Sequence, residues 1–134
     1  MAAAMKILIV DDVAVMRRLL ERALEGFGSI DMADSGVQAL AMLKTALDAQ
    51  RPYDLMCLDI VMPDIDGIQV LQHLREMEAA RGIADDSRTR VMIISAVSKS
   101  DTVRKAMQHG CDGFLLKPCS IEKARAEFQR IRLA

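Results

Sequence analysis

Aromatic side chains are scarce in this chain: tryptophan is absent, Tyr53 is the only tyrosine, and three phenylalanines complete the set. An FMN site would have almost nothing to stack its ring on, which disfavours a flavin carrier. Cysteine is limited to Cys57, Cys111 and Cys119, an odd number with no C-x-x-C pair, as in a small set of buried thiols kept reduced. His73 and His109 are remote from these and from each other, so the ligand spacing of a zinc site is missing. Neither charge dominates. Eighteen Lys and Arg face 19 Asp and Glu, and a net charge of −1 exerts no bulk pull on nucleic acid or an anionic membrane. Long apolar runs are absent as well: none approaches the roughly 20 residues that span a bilayer. Residues 1–5 are too short for a signal peptide, so the expected location is cytoplasmic. No repeat, low-complexity tract or linker divides the 134 residues, and a single domain over 1–134 is expected.

What is present is a 51% apolar fraction arranged in short, regularly spaced blocks. Apolar runs predict strands over 5–10, 29–33, 54–58, 90–95 and 113–116. Between them, spacings of three and four predict helices over 13–27, 37–47, 68–77 and 99–109, and a fifth from Ser120, a good N-cap with Glu122 in the favoured first turn. Residues 81–90 lack periodicity and read as a solvated loop. Strict alternation of strand and helix requires parallel strands with right-handed crossovers, and near-continuous apolar strands require cover on both faces. The expected fold is therefore α/β, a five-stranded doubly wound parallel sheet with helices on both sides.

Four of these runs end on a residue suited to phosphoryl chemistry: Asp11 and Asp12, Asp59, Ser95 and Lys117. Ligands of open parallel sheets bind beyond the carboxyl ends of the strands, so these side chains should converge. Adjacent acids usually cap a helix or sit in a solvated turn, and a lone lysine is usually a surface residue. Their joint placement argues otherwise. Three carboxylates held together repel one another, and burial would protonate them unless a cation compensates. Mg2+ suits such a site, because it binds through one or two carboxylates, keeps waters and accepts a phosphate oxygen. With Lys117 helping to neutralise the phosphoryl group, a carboxylate can attack phosphorus in line. Asp59, alone at its strand end, is the candidate nucleophile, and the Ser95 hydroxyl can donate to a phosphoryl oxygen.

Over essentially its whole length the chain resembles the receiver domain of two-component response regulators, specifically the chemotaxis-type single-domain members. The resemblance is carried by Asp11-Asp12, by Asp59 followed by Met62-Pro63-Asp64-Ile65-Asp66-Gly67, by Ser95-Ala96 and by Lys117-Pro118, supported by Met16-Arg17-Arg18 and Gly110-Cys111-Asp112-Gly113-Phe114. It implies the flavodoxin-like strand order 2-1-3-4-5 and a phosphoacceptor role for Asp59. Asp12 would be a direct Mg2+ ligand, Asp11 would hold the metal largely through water, and the backbone carbonyl of Val61 would complete the protein ligands. Ser95 and Phe114 would be switch residues, Lys117 would bind the phosphoryl group, and the bond before Pro118 would be cis.

The implied partners are a histidine kinase or phosphotransfer protein as donor, met near Met16, and a downstream protein target. The target would read the surface of the fourth helix, fifth strand and fifth helix, to which Lys99, Arg104, Lys105, Arg125 and Arg130 lend a basic tint. No independent substrate turnover is implied. A phosphorelay intermediate that passes the phosphoryl group onward is the alternative within this class. A haloacid dehalogenase-type phosphatase is the alternative outside it, but it needs an acid two positions after its nucleophile, and that place holds Val61. Relatives often carry polar side chains at Val61 and Val97, and their absence implies a long-lived phosphoryl group. Asp64 and Asp66 read as loop-shaping residues that cap the third helix, and Cys119 as a small buried apolar side chain.

Overall fold

The computed structural model describes residues 4–133, so the signal-peptide argument on residues 1–5 falls mostly outside it. Five strands and five helices alternate: β1 Met5–Val10, α1 Ala14–Ala23, β2 Gly28–Ala33, α2 Gly36–Asp48, β3 Leu55–Leu58, α3 Gly67–Ala80, β4 Arg90–Ser95, α4 Ser100–Gln108, β5 Gly113–Leu116 and α5 Ile121–Leu133. The sheet runs β2-β1-β3-β4-β5 with every neighbouring pair parallel.

Alternate side chains of the central strands feed two separate cores, which is why their sequences are apolar without a break. Leu8, Val10, Met56, Leu58, Val91 and Ile93 pack with Ala39 and Leu43 of α2 and Leu71 and Leu74 of α3. Ile7, Ile9, Leu55, Cys57, Met92 and Ile94 pack with Leu20 of α1 and with Ala124 and Phe128 of α5. The helices thus lie on both faces and leave the carboxyl rim of the sheet to polar residues.

Element ends depart from the sequence pattern where tertiary contacts supply the stop. The first helix closes at Ala23 rather than near residue 27. The guanidinium of Arg125, on α5, donates to the carbonyls of Ala23 and Arg22 and satisfies that end. Gly26, at φ +88°, then turns the chain toward β2. The third helix continues to Ala80, because Glu78 is buried there against Thr89. The expected loop over residues 81–90 contains one short 3-10 turn, Asp85–Ser87. Asp66 caps α3 as read from the sequence, and the structure adds Gln69 as its reciprocal partner in a capping box. Asp64 does not share that task. Its carboxylate accepts from the Gly36 and Val37 amides, capping α2 from the far side of the site, and those bonds hold its carboxyl below the usual range.

Candidate functional site

The sheet ladder extends one residue past the strands and fixes the site's backbone. Asp11 N bonds Ala33 O at 3.2 Å, Asp59 N bonds Val10 O at 3.0 Å, and Lys117 N bonds Ser95 O at 2.8 Å. Asp11, Asp59, Ser95 and Lys117 are therefore held by the ladder itself. Gly67 brings the start of α3 directly onto this rim: its amide bonds Ile60 O at 2.8 Å, and a Cβ there would come within 2.2 Å of the Asp59 carbonyl. Only glycine fits so close a backbone approach.

Asp11, Asp12 and Asp59 each offer a carboxylate oxygen within 4.8 Å of the others, the one such cluster among the described residues. Asp11 and Asp59 are 1% and 5% exposed, whereas Asp12 faces solvent. Lys117 Nζ lies 2.9 Å from Asp11 Oδ2 and 3.4 Å from Asp59 Oδ2, and the peptide bond from Lys117 to Pro118 is cis. Burial and then the charge of Asp11 raise the Asp59 carboxyl above its ordinary value, while Lys117 and the Val61 amide pull it back. Burial draws the Lys117 ammonium down, but the hydrogen bond and charge of Asp11, with Asp59 behind, outweigh it and hold the ammonium above its usual range. Hard oxygen donors at this spacing, one of them open to water, fit Mg2+.

The remaining predicted residues lie on β4, on β5 and in the segment after β3. Ser95 is fully buried at the end of β4, and its Oγ accepts from Val97 N at 3.1 Å, leaving its proton to donate. Phe114 is partly buried on β5 against the α2–α3 core. Val61 stands 59% exposed beside Asp59. The three cysteines are free, buried thiols. Burial, with Cys119 nearby, pushes the Cys57 thiol up to about 12, and burial raises Cys111 and Cys119 too. The basic tint expected over the fourth and fifth helices is largely consumed within the molecule: Arg104 pairs with Asp101, Arg130 with Glu127, and Arg125 caps α1.

Sequence reasoning missed one contact at the site. Arg17 Nη1 donates to the Asp11 carbonyl at 2.7 Å. The Met16-Arg17-Arg18 run was its only trace in the sequence.

The chain matches the response regulator receiver domain family over residues 7–129. It is 33% identical over 129 residues to the chemotaxis protein CheY-3 of Vibrio cholerae, covering 95% of this chain and 91% of that one. To the chemotaxis protein CheY of Bacillus subtilis it is 32% identical over 122 residues, covering 90% and 91%. Among solved structures, the CheX–CheY–BeF3–Mg2+ complex of Borrelia burgdorferi superposes with a TM-score of 0.80 at 27% identity, covering 97% of this chain and 90% of that chain.

Proposed function

This chain belongs to the response regulator receiver domain family, and from that premise we propose that it is a phosphorylation switch in which Asp59 is the phosphoacceptor. The observation that carries the reading is the meeting of Asp59 with Asp11, Asp12 and the Lys117 ammonium at one rim of the sheet. Asp11, Asp12, Asp59 and the Val61 carbonyl would hold Mg2+, which when bound neutralises the phosphoryl oxygens and the acids together. An Asp59 oxygen attacks phosphorus as the bond to the donor's leaving atom breaks, and the leaving group departs with that bonding pair, as acetate from acetyl phosphate or as an imidazole from a phosphohistidine. Lys117 exchanges one carboxylate partner for a phosphoryl oxygen. The Ser95 hydroxyl donates to another, and its movement frees space that Phe114 fills.

A histidine kinase or phosphotransfer protein supplies the phosphoryl group, and the surface of α4, β5 and α5 presents the result to a protein target. The domain acts as a single receiver unit with no substrate of its own. A reducing, cytoplasmic setting accords with its three buried free thiols.

Incubation with Mg2+ and acetyl phosphate, followed by intact mass measurement, tests the assignment. One phosphoryl group is expected on the wild type and none on Asp59→Asn. Equal labelling of the two would remove Asp59 from the role.

A further inference from the structure

We propose that Arg17 is a positioning residue for the acid cluster: by holding the Asp11 carbonyl, its guanidinium fixes the turn that aims Asp12 at the point shared with Asp59. The inference rests on reading this cluster as a divalent-cation site.

The backbone makes the need for such a group plain. The Val10 carbonyl accepts from Asp59 N, and the Asp11 amide donates to Ala33 O, so the Asp11 carbonyl is the next acceptor along β1. From there the chain leaves the sheet for α1. Asp11 is only 1% exposed, so water has little access to that carbonyl. Arg17 Nη1 takes it at 2.7 Å, reaching back from α1. The helix start brings little rigidity of its own, because the N-cap is Val13, with no side-chain cap bond and no acid in the first turn. The turn is held on its side-chain face by Val13 N donating to Asp11 Oδ1 at 2.9 Å, and on its backbone face by Arg17. Asp12 is exposed and is not among the carboxylates that Lys117 holds. Its direction follows the backbone of the turn, and the turn follows Arg17.

Positioning and plain electrostatics predict opposite signs. A guanidinium beside three carboxylates competes with an added cation, so on Coulomb grounds alone Arg17→Met would tighten Mg2+ binding. If the guanidinium shapes the turn, the same change must weaken it. Arg18, the next residue, is exposed, and Arg18→Met removes an equal charge from the same helix without touching Asp11.

The test is calorimetric titration of Mg2+ into the metal-free wild type, Arg17→Met, Arg17→Gln and Arg18→Met, together with amide exchange over residues 11–17 in the absence of metal. The Gln variant is the milder change and keeps the comparison readable should the Met variant unfold. Loss of Arg17 is expected to weaken Mg2+ binding about ten- to a hundredfold, the range seen when outer-shell partners of metal ligands are removed. Exchange at the turn should rise in metal-free Arg17 variants, and Arg18→Met should match the wild type in both measurements. Equal or tighter Mg2+ binding by a folded Arg17 variant would overturn the proposal. Should the wild type itself bind no Mg2+, the cation reading fails, and unchanged metal-free exchange would then dismiss the role of Arg17 separately.

Discussion

At the level of single residues, Asp59 sits where folding opposes its charge. Burial, then Asp11, raises its carboxyl, and Lys117 and the Val61 amide offset only part of that. A carboxyl raised in the folded state contributes stability that is complete below its unfolded value and is lost as pH rises through the folded one. Asp59→Asn should therefore melt higher than the wild type at neutral pH, by about 1 kcal/mol, or roughly 3 to 5 °C for a domain of this size. The gap should close as the pH falls toward the ordinary Asp range, and a gap that widens in acid would contradict the assignment. Val61 bears on how water would remove a phosphoryl group from Asp59 under the proposed function. An exposed valine beside Asp59 can neither accept a proton from an attacking water nor orient it, so the phosphoryl group should decay slowly. Val61→Asn is expected to shorten its lifetime severalfold, as followed by intact mass after removal of the donor. The candidate site was legible at this scale because Asp11, Asp59, Ser95 and Lys117 each directly follow an apolar run. Arg17 was not, since a bond to a carbonyl leaves no mark on composition or periodicity.

Among the elements, α4 is anchored unevenly. Its N-cap, Lys99, makes no side-chain cap bond, and Ala106 is its one buried residue. Its far end is tied to α3 by Arg75, which donates to the Gly110 carbonyl at 2.7 Å, the Thr89 carbonyl at 2.8 Å and the Glu78 carboxylate at 2.7 Å. Glu78, 1% exposed, also accepts from the Thr89 amide. Removing one partner of so buried a pair strands the other, and Arg75→Met should cost about 3 to 5 kcal/mol. Chemical denaturation would show it, and a loss under 1 kcal/mol would place the pair with ordinary surface ion pairs. Helices were readable from their apolar spacing, but their ends were less so. Arg125 closes α1 and Asp64 opens α2 from elements remote in the chain, and no local signal announces a cap delivered by folding.

Taken whole, the molecule gathers Asp11, Asp12 and Asp59 at one rim, and among its clefts are two of about 610 and 720 Å3 at the β2 edge and the amino ends of the strands. Neither cleft is lined by the acids, so ligand binding at the rim should be read through charge rather than enclosure. Mg2+ should raise the melting temperature by mass action, by about 2.7 kcal/mol at a hundred times its Kd. Asp12→Asn should abolish that rise while leaving the metal-free protein nearly unchanged, because Asp12 is exposed; a full metal response in this variant would remove Asp12 from the ligands. The amino-acid order by itself determined the alternation of strands and helices, the burial of the sheet on both faces and the residue at each strand end, since periodicity and turn chemistry are local properties. Tertiary structure alone decided that Lys117 bridges Asp11 and Asp59, that Asp64 serves α2, and that Arg17 and Arg75 spend their guanidinia on carbonyls. Those partners are chosen by which polar groups, backbone and side chain, packing strips of water, and that pattern of exposure exists only once the chain has folded.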